Sequence, residues 1–308
     1  MTAEKPPVGR FAPTPSGRMH MGNVFAALIA WLAVRSQGGT MLLRMEDLDR
    51  QRTKAEYAQV LLEDLAWLGL DYDLQTQPQS QRTEIYIEFF EKLKLMGLLY
   101  PCYCTRDQLH SVNAPHRSDG TYVYPGTCRD LSEQERSEMA KTPAWRVRVP
   151  DRSYTVRDRI QGIYTENLAA DCGDFIVRRA DGAFVYQLAV TVDDGLSGVT
   201  QVVRGVDLLN SSPRQMYLQA LFGFPAPEYA HVPLLIAPDG RRLSKRDRDM
   251  DLGYLRSRVT APKLLGQLAY AAGLLEQPEP VTPHELVDEF SFEKLRKQDI
   301  CLDLSQIL

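Results

Sequence analysis

The chain has no apolar run approaching the roughly 20 residues that a membrane-spanning helix needs. Nor does Met1-Thr-Ala-Glu-Lys-Pro-Pro7 contain the apolar core of a secretory signal, so the expectation is a cytoplasmic protein with no membrane partner. There is no internal repeat and no low-complexity run. Cysteine is scarce, five in 308 residues, and in a reducing compartment disulfide pairing is the weaker reading of it. Neither sign of charge is in large excess, and the formal balance of −4 neither demands nor excludes an RNA partner. What is present is ordinary globular usage, 44% hydrophobic and 25% charged, ample for a core in one large domain or two.

The most informative stretch is Arg10-Phe-Ala-Pro-Thr-Pro-Ser-Gly-Arg-Met-His-Met-Gly-Asn23. Pro13 and Pro15 fix φ near about −65° and bias Ala12 and Thr14 toward extended backbone, while Gly17 and Gly22 lack the Cβ that would block a close ligand. His20 to Asn23 then open an apolar helix, whose first turn carries unpaired amides and the positive dipole end, a place for a phosphate. Alone, such a segment also reads as a plain strand-to-helix connection. A second element lies downstream: Arg241-Arg-Leu-Ser-Lys-Arg246 follows the turn Ala237-Pro-Asp-Gly240, with Arg248 extending the basic run and Asp247 and Asp249 partly offsetting it.

The first stretch resembles the HIGH signature of class I aminoacyl-tRNA synthetases, and Phe11-Ala-Pro-Thr-Pro-Ser-Gly17 is similar to their glutamyl subgroup. Arg241 to Arg246 resembles the KMSKS loop of the same enzymes, with Arg242 where lysine is usual and Arg246 where the broader class has serine. The resemblance implies ATP-dependent activation of an amino acid, with Mg2+ accompanying ATP. A carboxylate attacks an already anionic phosphorus, so catalysis rests on alignment and on donors aimed at the developing charge. His20, Asn23 and above all Lys245 are the catalytic candidates. Ser16, His20, Gly22, Asn23 and Lys245 are implied for ATP.

A glutamate substrate brings two carboxylates and an ammonium, so its pocket needs guanidinium forks and one anion. Arg10 begins the first motif, Glu46 is placed at the end of a strand, and Arg204 at the end of another, where ligands of parallel sheets gather. Each alone reads more readily as a surface ion pair. By the resemblance, Arg10 and Arg204 take the carboxylates, Glu46 the ammonium, and Tyr186, with Phe11, Ala12, Pro13 and Thr14, completes the glutamate site.

Three cysteines fall in one segment: Cys102 and Cys104 at i,i+2 and Cys128 beyond a polar loop, a set suited to tetrahedral Zn2+. The glutamyl-queuosine subgroup places a tyrosine four residues before the last cysteine, as Tyr124 stands before Cys128, which ranks it first as the fourth ligand. The loop also carries His110 and His116, and His116 ranks second on chemical grounds. Cys172 and Cys301 read as isolated core thiols.

Strand Val8–Ala12, helix Asn23–Ser36, strand Thr40–Asp47, helix Lys54–Leu68 and helix Thr83–Leu99 alternate as in an α/β, Rossmann-like, doubly wound parallel sheet. Further expectations are strands Trp145–Val149 and Tyr154–Asp158, a hairpin around Asp181-Gly182, helix Ser212–Leu221, and mostly helix after Asp251. The division expected is 1–99 and 175–238 for the catalytic domain, 100–174 for a zinc-containing insert that binds the acceptor, and 239–308 for the second motif and a helical C-terminal region. With only about sixty residues after the second motif, no anticodon-binding domain is expected. The chain therefore resembles the truncated glutamyl-queuosine branch, which implies attachment of L-glutamate to queuosine in the anticodon region of tRNA(Asp). The alternatives are charging of the 3′ end of tRNA(Glu), or a non-catalytic RNA-binding paralogue.

Overall fold

A computed structural model describes residues 5–105, 123–241, 243 and 251–303. Lys245, Arg242, Arg246, Arg248, His110 and His116 lie outside the described residues. The central element is a seven-stranded sheet. Strand β1 (Val8–Phe11) leads to helix α1 (Met21–Arg35), strand β2 (Thr40–Leu43), helix α2 (Ala55–Leu68) and the short strand β3 (Leu74–Gln75). β2 pairs with β1 and β3 with β2, all parallel.

Beyond β3 come α3 (Thr83–Leu95), β4 (Leu99–Cys102), α4 (Glu133–Ser137), β5 (Ala144–Val147), β6 (Ser153–Asp158), β7 (Gly162–Asn167), β8 (Phe175–Arg178) and α5 (Tyr186–Leu196). Strand β9 (Gln201–Gly205), helix α6 (Ser212–Phe222) and strand β10 (Glu228–Val232) then complete the main sheet in the order β3-β2-β1-β9-β10-β6-β7. Every pairing in it is parallel except the edge pair β6 and β7. β4, β5 and β8 form a separate antiparallel sheet.

Side chains alternate across the main sheet with the strand period of two. Met41, Leu43, Val203 and Ala230 join α1 in one core, whereas Leu42, Val202 and Tyr229 point to the other face, against Leu209 and Met216. α1 is buried on nearly all sides, as its unbroken apolar sequence requires, because α2 and the C-terminal helices cover what the sheet does not. Its approach is close: a Cβ on Gly9 would lie 2.3 Å from Val34 Cγ2.

The structure departs from the sequence expectations in several places. The helix expected over Thr83–Leu99 stops at Leu95, because Gly97 adopts φ 71° and the chain then pairs as β4. The strand expected to reach Asp47 ends at Leu43. Arg44 N and Glu46 N still donate to Phe11 O and Pro13 O, at 3.0 Å each, but Pro13 and Pro15 have no N–H to return, so the ladder cannot continue. The Asp181-Gly182 turn forms, with Gly182 at φ 87° and a single bridge from Arg178 to Phe184. A helix, not a second strand, follows from Tyr186. After α7 (Leu252–Arg256) and α8 (Ala261–Ala272), Gly273 at φ 93° and Pro278, Pro280 and Pro283 end the helical run. The chain closes through β12 (Ile300–Cys301), parallel to β11 (Leu235–Ile236). Cys301 is exposed rather than in the core, and Cys172, although buried, accepts from Arg214 Nε at 2.9 Å.

Candidate active site

β1 and β9 are neighbours although the chain travels outward from β1 to β3 on one side and to β10 on the other, so their carboxyl ends form the switch point of the sheet. Arg10 sits on β1 and Arg204 on β9, each about 95% buried at 4% and 5% exposure. Arg10 Nε donates to Asp194 Oδ2 at 3.4 Å and Nη1 to Val203 O at 3.3 Å. Arg44 bridges the same carboxylate to the neighbouring acid, with Nη1 to Asp194 Oδ1 at 2.7 Å and Nη2 to Glu46 Oε1 at 3.1 Å.

Burial works against ionising Asp194, but the Arg44 and Arg10 guanidiniums overcome it and hold the carboxyl below its usual range. Glu46 differs: burial dominates and raises it, with Arg44 and Arg10 opposing. Behind this layer Asp193 is fixed by Arg82 Nε at 2.7 Å, Gln79 Nε2 at 2.8 Å and Tyr86 Oη at 2.9 Å. α5 supplies both acids on consecutive residues and opens on Tyr186.

Arg204 has a different environment. Its partners are neutral: Nε donates to His231 Nε2 at 3.0 Å, Nη1 to Gln215 Oε1 at 2.9 Å and to Tyr186 Oη at 3.1 Å, and Nη2 to Ser212 Oγ at 2.8 Å. Since Nε2 of His231 accepts, its proton is on Nδ1, which faces Asp158 Oδ2 at 2.5 Å. Burial and the adjacent Arg204 push His231 below its ordinary value against the opposing Asp158, in keeping with an Nε2 that accepts. Burial alone would raise Asp158, but hydrogen bonds from His231 and the Gln161 amide leave it below its ordinary value.

Two clefts meet at the Arg204–Tyr186 contact. One, of ≈ 460 Å³, is walled by Thr14, Ser16, Glu46 and Tyr186. The other, of ≈ 200 Å³, is walled by Arg10, Phe11, Ala12, His20, Gly22, Asn23 and Arg204. His20 caps α1, its Nδ1 accepting from Asn23 N while Asn23 Oδ1 accepts from His20 N, both at 3.4 Å. Pro13 is buried, and its carbonyl meets the Glu46 amide. Leu243 of the second motif lines the smaller cleft, and beyond the motif Asp251 bridges to His20 and Leu252 N donates to Met19 O at 3.2 Å.

Sequence reading missed Arg44, Ser212, Gln215, Asp158 and His231. Arg44 had a visible signal, since residues i and i+2 of an extended segment share a side and Glu46 is its partner. Nothing in the sequence linked Asp158, Ser212 or His231 to Arg204.

Cys102, Cys104 and Cys128 converge, their sulfurs all within 4.8 Å of one another. Tyr124 Oη lies 3.5 Å from Cys102 Sγ and 3.9 Å from Cys104 Sγ, and Cys104 Sγ is 3.6 Å from Cys128 Sγ. Donors are turned toward the sulfurs: Arg146 Nε reaches Cys102 Sγ at 3.2 Å and Tyr103 N reaches Cys128 Sγ at 3.4 Å. Burial opposes the Cys102 thiolate, yet Tyr124 and Arg146 bring that thiol below its ordinary value. Tetrahedral bonds of about 2.3 Å would set sulfurs about 3.8 Å apart, so the three could hold a metal ion.

A model of the catalytic domain of class I tRNA synthetases (E and Q) matches residues 8–266. Curated relatives named glutamyl-Q tRNA(Asp) synthetase include one from Symbiobacterium thermophilum, 46% identical with 95% of this chain and 94% of the relative covered. Another from Thiobacillus denitrificans is 50% identical over 78% of each chain. A glutamate tRNA ligase from Elizabethkingia meningosepticum, solved in complex with its amino acid, superposes with a TM-score of 0.84 at 26% identity. The match spans 98% of this chain and 68% of that one. The chain belongs to the class I tRNA synthetases for glutamate and glutamine, within their glutamyl-Q tRNA(Asp) synthetase branch. Among the described residues, no helix is long and apolar enough to cross a membrane.

Proposed function

We propose that this protein activates L-glutamate with ATP and transfers it to queuosine in the anticodon of tRNA(Asp). The observation that carries glutamate activation is Arg204, a buried guanidinium whose hydrogen-bond partners are all neutral and one of which, Tyr186, walls the larger cleft together with Glu46. A cation so placed favours an anionic ligand. The queuosine acceptor is supported by the shared name of the relatives.

Arg10 and Arg204 receive the substrate carboxylates, Glu46 its ammonium, and Tyr186 the side of the pocket, with Phe11, Ala12, Pro13 and Thr14 shaping the wall. Ser16, His20, Gly22 and Asn23 meet the phosphates of ATP, which Mg2+ accompanies. The α-carboxylate attacks the α-phosphorus and pyrophosphate leaves, its growing charge followed by Lys245. An acceptor hydroxyl then attacks the acyl carbon and AMP departs. Cys102, Cys104 and Cys128, with Tyr124, would hold Zn2+, which would supply a structural cross-link.

Pyrophosphate exchange with glutamate, glutamine and aspartate tests activation, and glutamate-dependent exchange without tRNA is expected. Exchange only after adding tRNA(Glu) would favour the conventional synthetase. Labelling of queuosine-containing tRNA(Asp) whose 3′ terminal adenosine has been removed tests the acceptor, and its loss would return the glutamate to the 3′ end.

A further inference from the structure

The larger cleft does not end beside Glu46 and Tyr186. It continues into an outer chamber of ≈ 370 Å³ that shares Leu48, Asp49, Arg179, Ala183 and Phe184 with it. Two polypeptide segments form the rim. On one side the loop after Glu46 carries Arg50, exposed, whose backbone N–H donates to Leu48 O at 3.1 Å and whose guanidinium makes no hydrogen bond or ion pair among the described residues. On the other, the Gly182 turn carries Arg179, whose side chain is 51% exposed and bonded at 2.5 Å to an equally exposed Asp181. Asp49 and Asp181 are the acids of this rim, and both are engaged: Asp49 accepts from Gln51 N at 3.2 Å, and Asp181 accepts from Ala183 N at 3.1 Å as well as from Arg179. An ion pair this exposed contributes little, so Arg179 can exchange Asp181 for a phosphate at little cost.

The chemistry sets the direction of approach. The smaller cleft holds His20, Gly22 and Asn23, assigned to the nucleotide, together with Arg10 and Arg204, assigned to glutamate, so the second reactant must reach the acyl carbon from the side of Tyr186. We infer that the outer chamber seats the acceptor nucleoside of a single-stranded RNA loop, and that Arg50 and Arg179, on opposite rims, bind the phosphates flanking it. The inference rests on the proposed function. Leu48 and Ala183 give an apolar wall for the base, and the two guanidiniums give anion forks that carry no sequence information and serve to orient the splayed nucleotide.

The test uses the full-length protein with the substitutions Arg50→Ala, Arg179→Ala and both together. The probe is queuosine-containing tRNA(Asp) lacking its 3′ terminal adenosine. Pyrophosphate exchange without tRNA should be unchanged in all three, since neither arginine is assigned to glutamate or ATP. The KM for tRNA should rise about 3- to 10-fold for each single change and more for the pair. The slope of log affinity against log salt should also fall by about one for each arginine removed. Arg179→Lys, which keeps the charge, should recover most of that salt slope. Equal tRNA KM in the double variant and the wild type would overturn the inference while leaving the acceptor assignment intact. So would a matching loss of tRNA-independent exchange. A wild-type protein that does not label this tRNA at all would overturn the acceptor assignment, and the inference with it.

Discussion

Asp158→Asn removes a single charge and no carbon atom, yet the structure predicts that it disables a residue on another strand. Oδ1 of Asp158 accepts three backbone amides, from Ile160 at 3.0 Å, Gln161 at 2.8 Å and His231 at 3.1 Å. An asparagine must keep its carbonyl oxygen there, which turns its NH2 toward His231 Nδ1. That nitrogen then has to accept, the imidazole proton moves to Nε2, and two donors face each other where Arg204 Nε now meets an acceptor. Losing one hydrogen bond to a charged group costs about 1.5–3 kcal/mol, or about 10- to 150-fold in kcat/KM. The loss should fall on glutamate, because we assign Arg204 to its carboxylate, with the KM for ATP little changed. Pyrophosphate exchange measured against each substrate separates the two. A glutamine at 231 has no tautomer to lose, so Asp158→Asn should add little in a His231→Gln background. Equal effects in both backgrounds, or equal losses for ATP and glutamate, would refute the tautomer argument.

Other expectations follow from the proposed function and from the described geometry. Lys245→Ala should lower the exchange rate by roughly 10²–10³-fold, the scale for losing a transition-state donor, and a change confined to glutamate KM would contradict its role. Purified protein should contain one zinc per chain. Chelation should expose the three thiols to titration and lower the melting temperature, and metal-free protein with freely reactive thiols would remove the zinc assignment. The Asp194 carboxyl is held below its usual range, so its stabilising contribution is complete above the unfolded value of about 3.9 and disappears as pH falls through the folded one. The stability gap between wild type and Asp194→Asn in urea should therefore be full at pH 7 and close in strongly acidic solution. A gap independent of pH would mean that the pairing with Arg44 and Arg10 carries no proton linkage.

Local rules determined much of this protein. The prolines and glycines of residues 12–22 wrote a strand, a turn and a capped helix in order, and the run behind them announced an apolar helix. The i,i+2 cysteines and the downstream Cys128 identified the cluster that the structure brings together, and the family resemblance added Tyr124. Arg10, Glu46 and Arg204 were legible as a charge pattern suited to glutamate, Tyr186 was named by the family resemblance alone, and the structure puts all four around the meeting of two clefts. Where the sequence erred, a neighbour in space decided. The strand after Thr40 stops at Leu43 because the segment beside it contains Pro13 and Pro15, and Leu99 to Cys102 is a strand because Ala144 to Val147 pairs with it. The supports of the site were beyond reach for the same reason. Asp158 and His231 are 73 residues apart, and His231 is 27 from Arg204. A proton on one imidazole nitrogen rather than the other is fixed only once parallel strands have set those three side chains in line.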